Sequence, residues 1–221
     1  MQVDSSKVAA SLVLSLCADH ASKPSCDQAC MNRPKENEQI AAVRRWVETV
    51  VIGLNLCPFA KRELIADRVR FIVTDAGTDI ELLESLESEL ELLARTPAVE
   101  TTLIIHPNVL GDFNHYNQFL DSADRLLVQM AFEGEFQIAI FHPKYRFADT
   151  EPDDPENYTN RSPFPILHLL REASLEKVIA LTPDIDQVPV RNIQTMNRLG
   201  TSTLRSTLQS CLIDENKQVN H

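Results

Sequence analysis

Between residues 69 and 142, short runs of β-branched and aromatic residues alternate with longer stretches whose leucines recur every three or four positions. This rhythm constrains the fold more than any other feature, because strands joined by helices need crossover connections that lay the helices against the sheet. Residues 69–74 (VRFIVT), 101–106 (TTLIIH) and 136–142 (FQIAIFH) read as strands. Residues 79–94 read as a helix with Leu82, Leu83, Leu86, Leu90 and Leu93 on its buried side, and residues 113–132 as a long helix. The expected class is α/β: a layered fold with a central four-stranded, largely parallel or mixed sheet covered by helices. A split arrangement, with two helices on one face of a mixed sheet, satisfies the same pattern.

On the amino-terminal side, Ile40, Val43, Trp46, Val47, Val50 and Val51 recur at helical spacing, and Gly53 fits the helix end. A second short helix runs to about Ala66, with Pro58 suited to its first position and Cys57 beside its N-cap. On the carboxyl side, Ser162 as N-cap and Pro163 at the first position announce a helix over residues 163–172. Residues 178–181 supply the fourth strand, and a further helix starts near Val190. Residues 1–37, punctuated by Pro24 and Pro34, read as a flexible extension, residues 38–205 as a single domain, and residues 206–221 as a helix end and tail.

A chain of 221 residues that is 43% hydrophobic and 24% charged can bury a core without disulfides or structural metals. Its net charge of −11 repels nucleic-acid backbones and anionic membrane surfaces, and no Lys/Arg block offsets that field. Neither kind of partner is expected. No apolar run approaches the roughly 20 residues that span a bilayer. Residues 8–18 have the length of a signal h-region, but Asp4 before them and Asp19-His20 after them favour a short helix. Five cysteines, Cys17, Cys26, Cys30, Cys57 and Cys211, do not make a disulfide framework, so a reducing, cytoplasmic location is expected. Cys26 and Cys30 lack the second pair that a zinc site needs. Asn157-Tyr158-Thr159 and Asn160-Arg161-Ser162 match the glycosylation sequon, a triplet common by chance.

Two strands end alike, in Ile104-Ile105-His106-Pro107 and Ile140-Phe141-His142-Pro143. Ligands of open α/β sheets bind beyond the carboxyl ends of the strands. Parallel strands would place His106 and His142 on one such edge, as a shared site or as two polar strand ends. A helix beginning at Pro58 and feeding the first strand would set Cys57 level with them, as a nucleophile, a metal ligand or a small buried hydrophobe. Cys57, His106 and His142 are therefore the candidates for catalysis and for a transition metal such as zinc. Asn160, Arg161 and Ser162 at the expected helix start form a candidate anion site, with His168 and Arg171 one turn along; Arg161 could equally pair with Asp153, Asp154 or Glu156. The acidic residues Asp149, Glu151, Asp153, Asp154 and Glu156 lack EF-hand spacing. Cys57-Pro58-Phe59-Ala60 lacks a resolving cysteine, which argues against a disulfide oxidoreductase. Walker, GxGxxG, HExxH and GxSxG motifs are absent.

Residues 46–60 (WVETVVIGLNLCPFA), 141–147 (FHPKYRF) and 157–172 (NYTNRSPFPILHLLRE) together resemble the domain-of-unknown-function family DUF1415, over about residues 40–200. The resemblance implies a cytosolic single-domain protein and supplies no activity. Two functions suit the residues. One is an enzyme acting on a small anionic substrate through a Cys/His site at the carboxyl edge of the sheet. The other is a non-catalytic module that binds a metabolite or metal.

Overall fold

A computed structural model describes residues 26–181 and 184–213, with side chains from residue 35. The chain divides into two units, residues 1–34 and 35–221, and the second carries the features described below. The signal-like residues 8–18 and Cys17 lie outside the described residues, as do the side chains of Cys26 and Cys30.

The elements are α1 (Cys26–Trp46), a π-helix (Val47–Ile52), α2 (Ala60–Ile65), β1 (Val69–Val73), α3 (Asp79–Arg95), β2 (Thr101–Ile105), α4 (Phe113–Gln129) and β3 (Phe136–Phe141). They continue with a 3-10 turn (Pro155–Thr159), β4 (Ile166–Arg171), α5 (Glu172–Leu181), a second 3-10 turn (Ile185–Gln187), α6 (Val188–Leu199) and α7 (Thr201–Leu212). The strands form one mixed sheet in the order β1-β2-β4-β3. Strand β1 is parallel to β2, and β4 is antiparallel to both β2 and β3. Strands β1, β2 and β3 therefore share one direction, and β4 runs against them. The α/β class and the four-stranded sheet stand.

The fourth strand is a correction. Residues 163–172, expected as a helix, contain β4, and residues 178–181, expected as a strand, end α5. A strand between two others buries both faces and reads as a continuous apolar run, which periodicity cannot tell from a buried helix. Ile166, Leu167 and Leu169 are fully buried. In α5, Val178 is buried while Ile179 and Leu181 face solvent, so the apolar run there is not a core strand.

Alternation along the strands divides the core in two. Ile72, Ile104, Ile138, Ile140, Leu167 and Leu169 face α3 and α4. Val69, Phe71, Leu103, Ile105, Phe141 and Ile166 face the other way, toward α1, the π-helix, α6 and α7. Leu82, Leu86, Leu90 and Leu93 of α3 are fully buried, each contributing roughly 2 kcal/mol. Thr78 and Glu81 close a capping box at the start of α3. At its other end Arg171 of β4 donates to the carbonyls of Leu93 in the last turn and of Thr96 and Val99 just beyond it. A bidentate Arg70–Glu89 pair, at 2.7 and 2.9 Å, pins α3 to β1.

The π-helix ends with Gly53 N–H donating to Glu48 O at 3.0 Å, a bond spanning five residues. This winding turns the Thr49 carbonyl toward the face of Gly53, where a Cβ would lie 2.2 Å from the oxygen. Only glycine fits without moving backbone. Gly53→Ala is expected to lower unfolding stability by about 1–3 kcal/mol, by overpacking against backbone. Gly111→Ala, where an added Cβ meets nothing within 4 Å, should be neutral. Urea denaturation midpoints of the two variants check the contrast, and equal midpoints would contradict it.

Candidate functional site

Both histidines that end parallel strands lie at the carboxyl edge, on the face covered by α3 and α4. His106 is fully buried, and its Nδ1 donates to Val109 O at 3.2 Å. His142 accepts the Lys144 backbone N–H at Nδ1, 3.0 Å away, so its Nε2 carries the proton and donates to Leu110 O at 3.1 Å. Two imidazoles thus fasten the same loop, between β2 and α4. Tyr116 stacks between them, with ring centroids 5.6 Å from His106 and 5.2 Å from His142. Its hydroxyl donates to Ile166 O at 2.7 Å, which joins the loop to the start of β4. Burial drives His106 down to about 4 and also lowers His142. Both rings are neutral at pH 7.

Cys57 does not join them. It packs with the apolar cluster on the opposite face of the sheet, among Trp46, Val47 and Leu103. The six residues of α2 span only about 9 Å at 1.5 Å per residue, too short to carry Cys57 along β1 to its carboxyl end. A metal site of Cys57, His106 and His142 does not fit this arrangement, since the sheet lies between the thiol and the rings. Among the described residues no group of three or more His, Cys, Asp or Glu could hold a metal ion. Burial pushes the Cys57 thiol up, outweighing the backbone N–H groups of Phe59 and Ala60 that favour its thiolate.

The remaining candidates belong to a segment that is not helical. Asn160 Nδ2 donates to Ile140 O at 3.2 Å, and its own carbonyl accepts the His142 N–H at 3.1 Å. Ser162 is fully buried, its hydroxyl turned onto Phe164 O at 2.5 Å rather than onto a helix N-terminus. Arg161 pairs with none of Asp153, Asp154 and Glu156. It donates to the carbonyls of Tyr145 at 3.1 Å and Pro152 at 2.5 Å, and stacks over Tyr158. His168 and Arg171 lie on a strand, where positions three apart face opposite sides. Arg171 caps α3, and His168 bonds Thr101 Oγ1 at 2.6 Å on the Cys57 face. Because that hydroxyl donates to Leu169 O, His168 Nε2 supplies the proton, and burial holds its ring down to about 4.

Two cavities follow from this layout. The first opens at the carboxyl edge with a volume of about 400 Å³, lined by Asn114, Lys144, Arg146, Arg161 and Asp153. Lys144 and Arg146 are exposed and make no ion pair among the described residues, and Asp153 is engaged by Arg205 at 2.6 Å. Spacing in the sequence did not single out Lys144 or Arg146; the turn after His142 brings them to Arg161. The 147–157 loop beside them is organised by Asn157, which is fully buried. Its Oδ1 accepts from Phe147 N and Thr150 Oγ1, and its Nδ2 donates to Glu151 O.

The second cavity, about 220 Å³, lies on the opposite face beneath the π-helix, and Cys57, Trp46, Ala139, Phe141 and His168 line it.

Neutral buried histidines make the fold sensitive to acid. His106 and His168 sit at about 4 when folded and start from 6.5. The unfolded chain therefore binds more protons between those values, and stability is lost as pH falls from about 6.5 to 4. At neutral pH this linkage costs nothing, and each ring lowers stability by up to about 3 kcal/mol once pH falls below about 4. Urea unfolding at pH 7.0 and 5.0 should show a fall of several kcal/mol, and His168→Phe should reduce the fall. A flat profile across that window would contradict the assignment.

No helix among the described residues is long and apolar enough to cross a membrane. No curated protein and no solved structure matches the chain. The family model described as "Protein of unknown function (DUF1415)" matches residues 38–206, and so takes in β1 to β4, both histidine-ended strands and both cavities. The chain belongs to the DUF1415 family.

Proposed function

We propose that this protein binds a small anionic molecule, bearing phosphate or several carboxylates, at the basic cavity on the carboxyl edge of its sheet. The observation that carries this reading is the convergence of Lys144, Arg146 and Arg161 on one cavity, in a chain whose net charge is −11. Three like charges held together repel one another, and a bound anion relieves that repulsion. Arg161 is fixed by backbone carbonyls, which leave its charge uncompensated, so a planar donor is already oriented. Lys144 and Arg146 are exposed on the same wall, where their charges can meet the ligand. The volume suits a metabolite rather than a macromolecule.

The family motif residues 141–147 and 157–172 supply Pro143, Lys144, Arg146 and Arg161 of the wall, so the segments that carry the resemblance also build the site. An acid–base role for His106 or His142 finds less support. His142 spends both ring nitrogens on backbone, and His106 lies buried beneath the loop it fastens. A binding module is therefore the better-supported reading than an enzyme working through these rings.

Thermal unfolding of the full chain with pyrophosphate and with citrate tests the proposal, because a ligand that binds only the folded state raises its melting temperature. A dose-dependent rise is expected with at least one of them, shrinking as salt screens the exposed charges. Lys144→Ala combined with Arg146→Ala, both at exposed positions, should weaken binding by 10-fold or more and leave the unliganded melting temperature unchanged. An equal response in wild type and the double variant would overturn the assignment.

A further inference from the structure

The cavity beneath the π-helix differs from the basic one in every chemical respect. Its wall is built from Trp46, Val47, Val51, Leu103, Phe141 and Leu170, with the thiol of Cys57 and the neutral ring of His168 among them. Charged residues at its margin are already engaged. Glu63 pairs with Arg62 at 2.6 Å and with Arg68 at 3.0 Å, Arg68 also holds Glu100, and Arg171 is committed through its N–H groups to carbonyls at the end of α3. The cavity surface itself is almost wholly apolar, so the desolvation of an ionic ligand would go uncompensated.

Two wall residues nonetheless carry buried polar atoms without a partner, Trp46 Nε1 and Glu100 Oε1. Trp46 is 1% exposed and Glu100 is 8% exposed. Neither atom opens onto the cavity, whose surface is almost wholly apolar, so an occupant meets apolar contact area and no free hydrogen-bonding partner. Val47 and Val51 of the wall belong to the π-helix, a rare winding that is frequent at functional sites.

We propose that this cavity is a binding site for a small, uncharged, apolar molecule with a body about the size of indole. Size follows from the volume. A cavity of roughly 150 Å³ accepts benzene, so 220 Å³ suits about nine heavy atoms. The site is separate from the basic cavity and lies on the other face of the sheet, so neither proposal depends on the other.

Indole, toluene and benzoate are titrated into the full chain, with two readouts. One is the melting temperature. The other is the rate at which N-ethylmaleimide alkylates Cys57, followed on the Cys57 peptide by mass spectrometry. Indole and toluene should each raise the melting temperature and slow alkylation of Cys57 by five-fold or more, and benzoate should do neither. Ala139→Leu extends a side chain into the cavity from β3. It should abolish both indole effects, with an unliganded melting temperature at or above that of wild type. Ala60→Leu, from the opposite wall, serves if that variant does not fold. The Lys144→Ala/Arg146→Ala chain should respond to indole as wild type does. No shift and no protection with indole up to its solubility limit would overturn the proposal. So would protection that survives in the filled variants, or benzoate binding better than indole.

Discussion

Strand β4 runs against its two neighbours and is covered on both faces, and the geometry of the carboxyl edge follows from that placement. Because β4 separates β2 from β3, those two parallel strands end about 10 Å apart, two strand spacings, with the entry to β4 between them. The chain entering β4 must therefore pass both histidines. It hydrogen-bonds to each: His106 N–H donates to Pro165 O and His142 N–H to Asn160 O, both at 3.1 Å. Tyr116 closes the arrangement from above through Ile166 O. Three loops distant in sequence are thereby held in one place, and the cations of the 143–147 turn face Arg161 as a consequence.

The same sheet keeps two kinds of chemistry apart. On the α3/α4 side, polar side chains are used to fasten backbone, and charge collects only where the loops emerge into solvent. On the opposite side, the π-helix and α2 lean over β2 and β4 without filling the space between, and the wall is apolar. Histidine serves both sides without being charged on either. His106 and His142 tie a loop, and His168 ties two strands through Thr101. Their shared property is a ring that donates from one nitrogen while staying neutral, which a buried lysine or arginine could not do.

Much of this was legible in the sequence, for identifiable reasons. Helix α3 was readable because it pairs a clean period with a strong boundary, the Thr78–Glu81 box, and β1 and β2 because they are short runs rich in β-branched residues. The common edge for His106 and His142 followed from two identical strand endings. Strand β4 was misread because Ser162-Pro163 imitates a helix start and because a doubly buried leucine-rich strand has no period of two. That error put Arg161 at the start of an imagined helix and His168 and Arg171 along it, although Arg161 still lies at a basic cavity. Cys57 was expected level with the histidines because a helix beginning at Pro58 would reach the carboxyl end of β1, whereas α2 begins at Ala60 and has only six residues. Lys144 and Arg146 were missed because nothing in a local pattern shows which distant arginine a turn will meet.

Asn157 and Asn160 both sit in glycosylation triplets, and the structure decides what those triplets mean for a folded chain. The Asn157 amide nitrogen is buried and bonded to Glu151 O, and that of Asn160 is bonded to Ile140 O. At Asn160, which is half-buried, the amide keeps one hydrogen for Ile140 O when the other is replaced by a sugar. At Asn157, fully buried, a sugar has no room, and it would dismantle the acidic loop, since the same amide gathers Phe147 and Thr150. Modification and folding are thus mutually exclusive at Asn157: a chain glycosylated there could not close this loop, and a folded chain offers a glycosyltransferase no acceptor at that position.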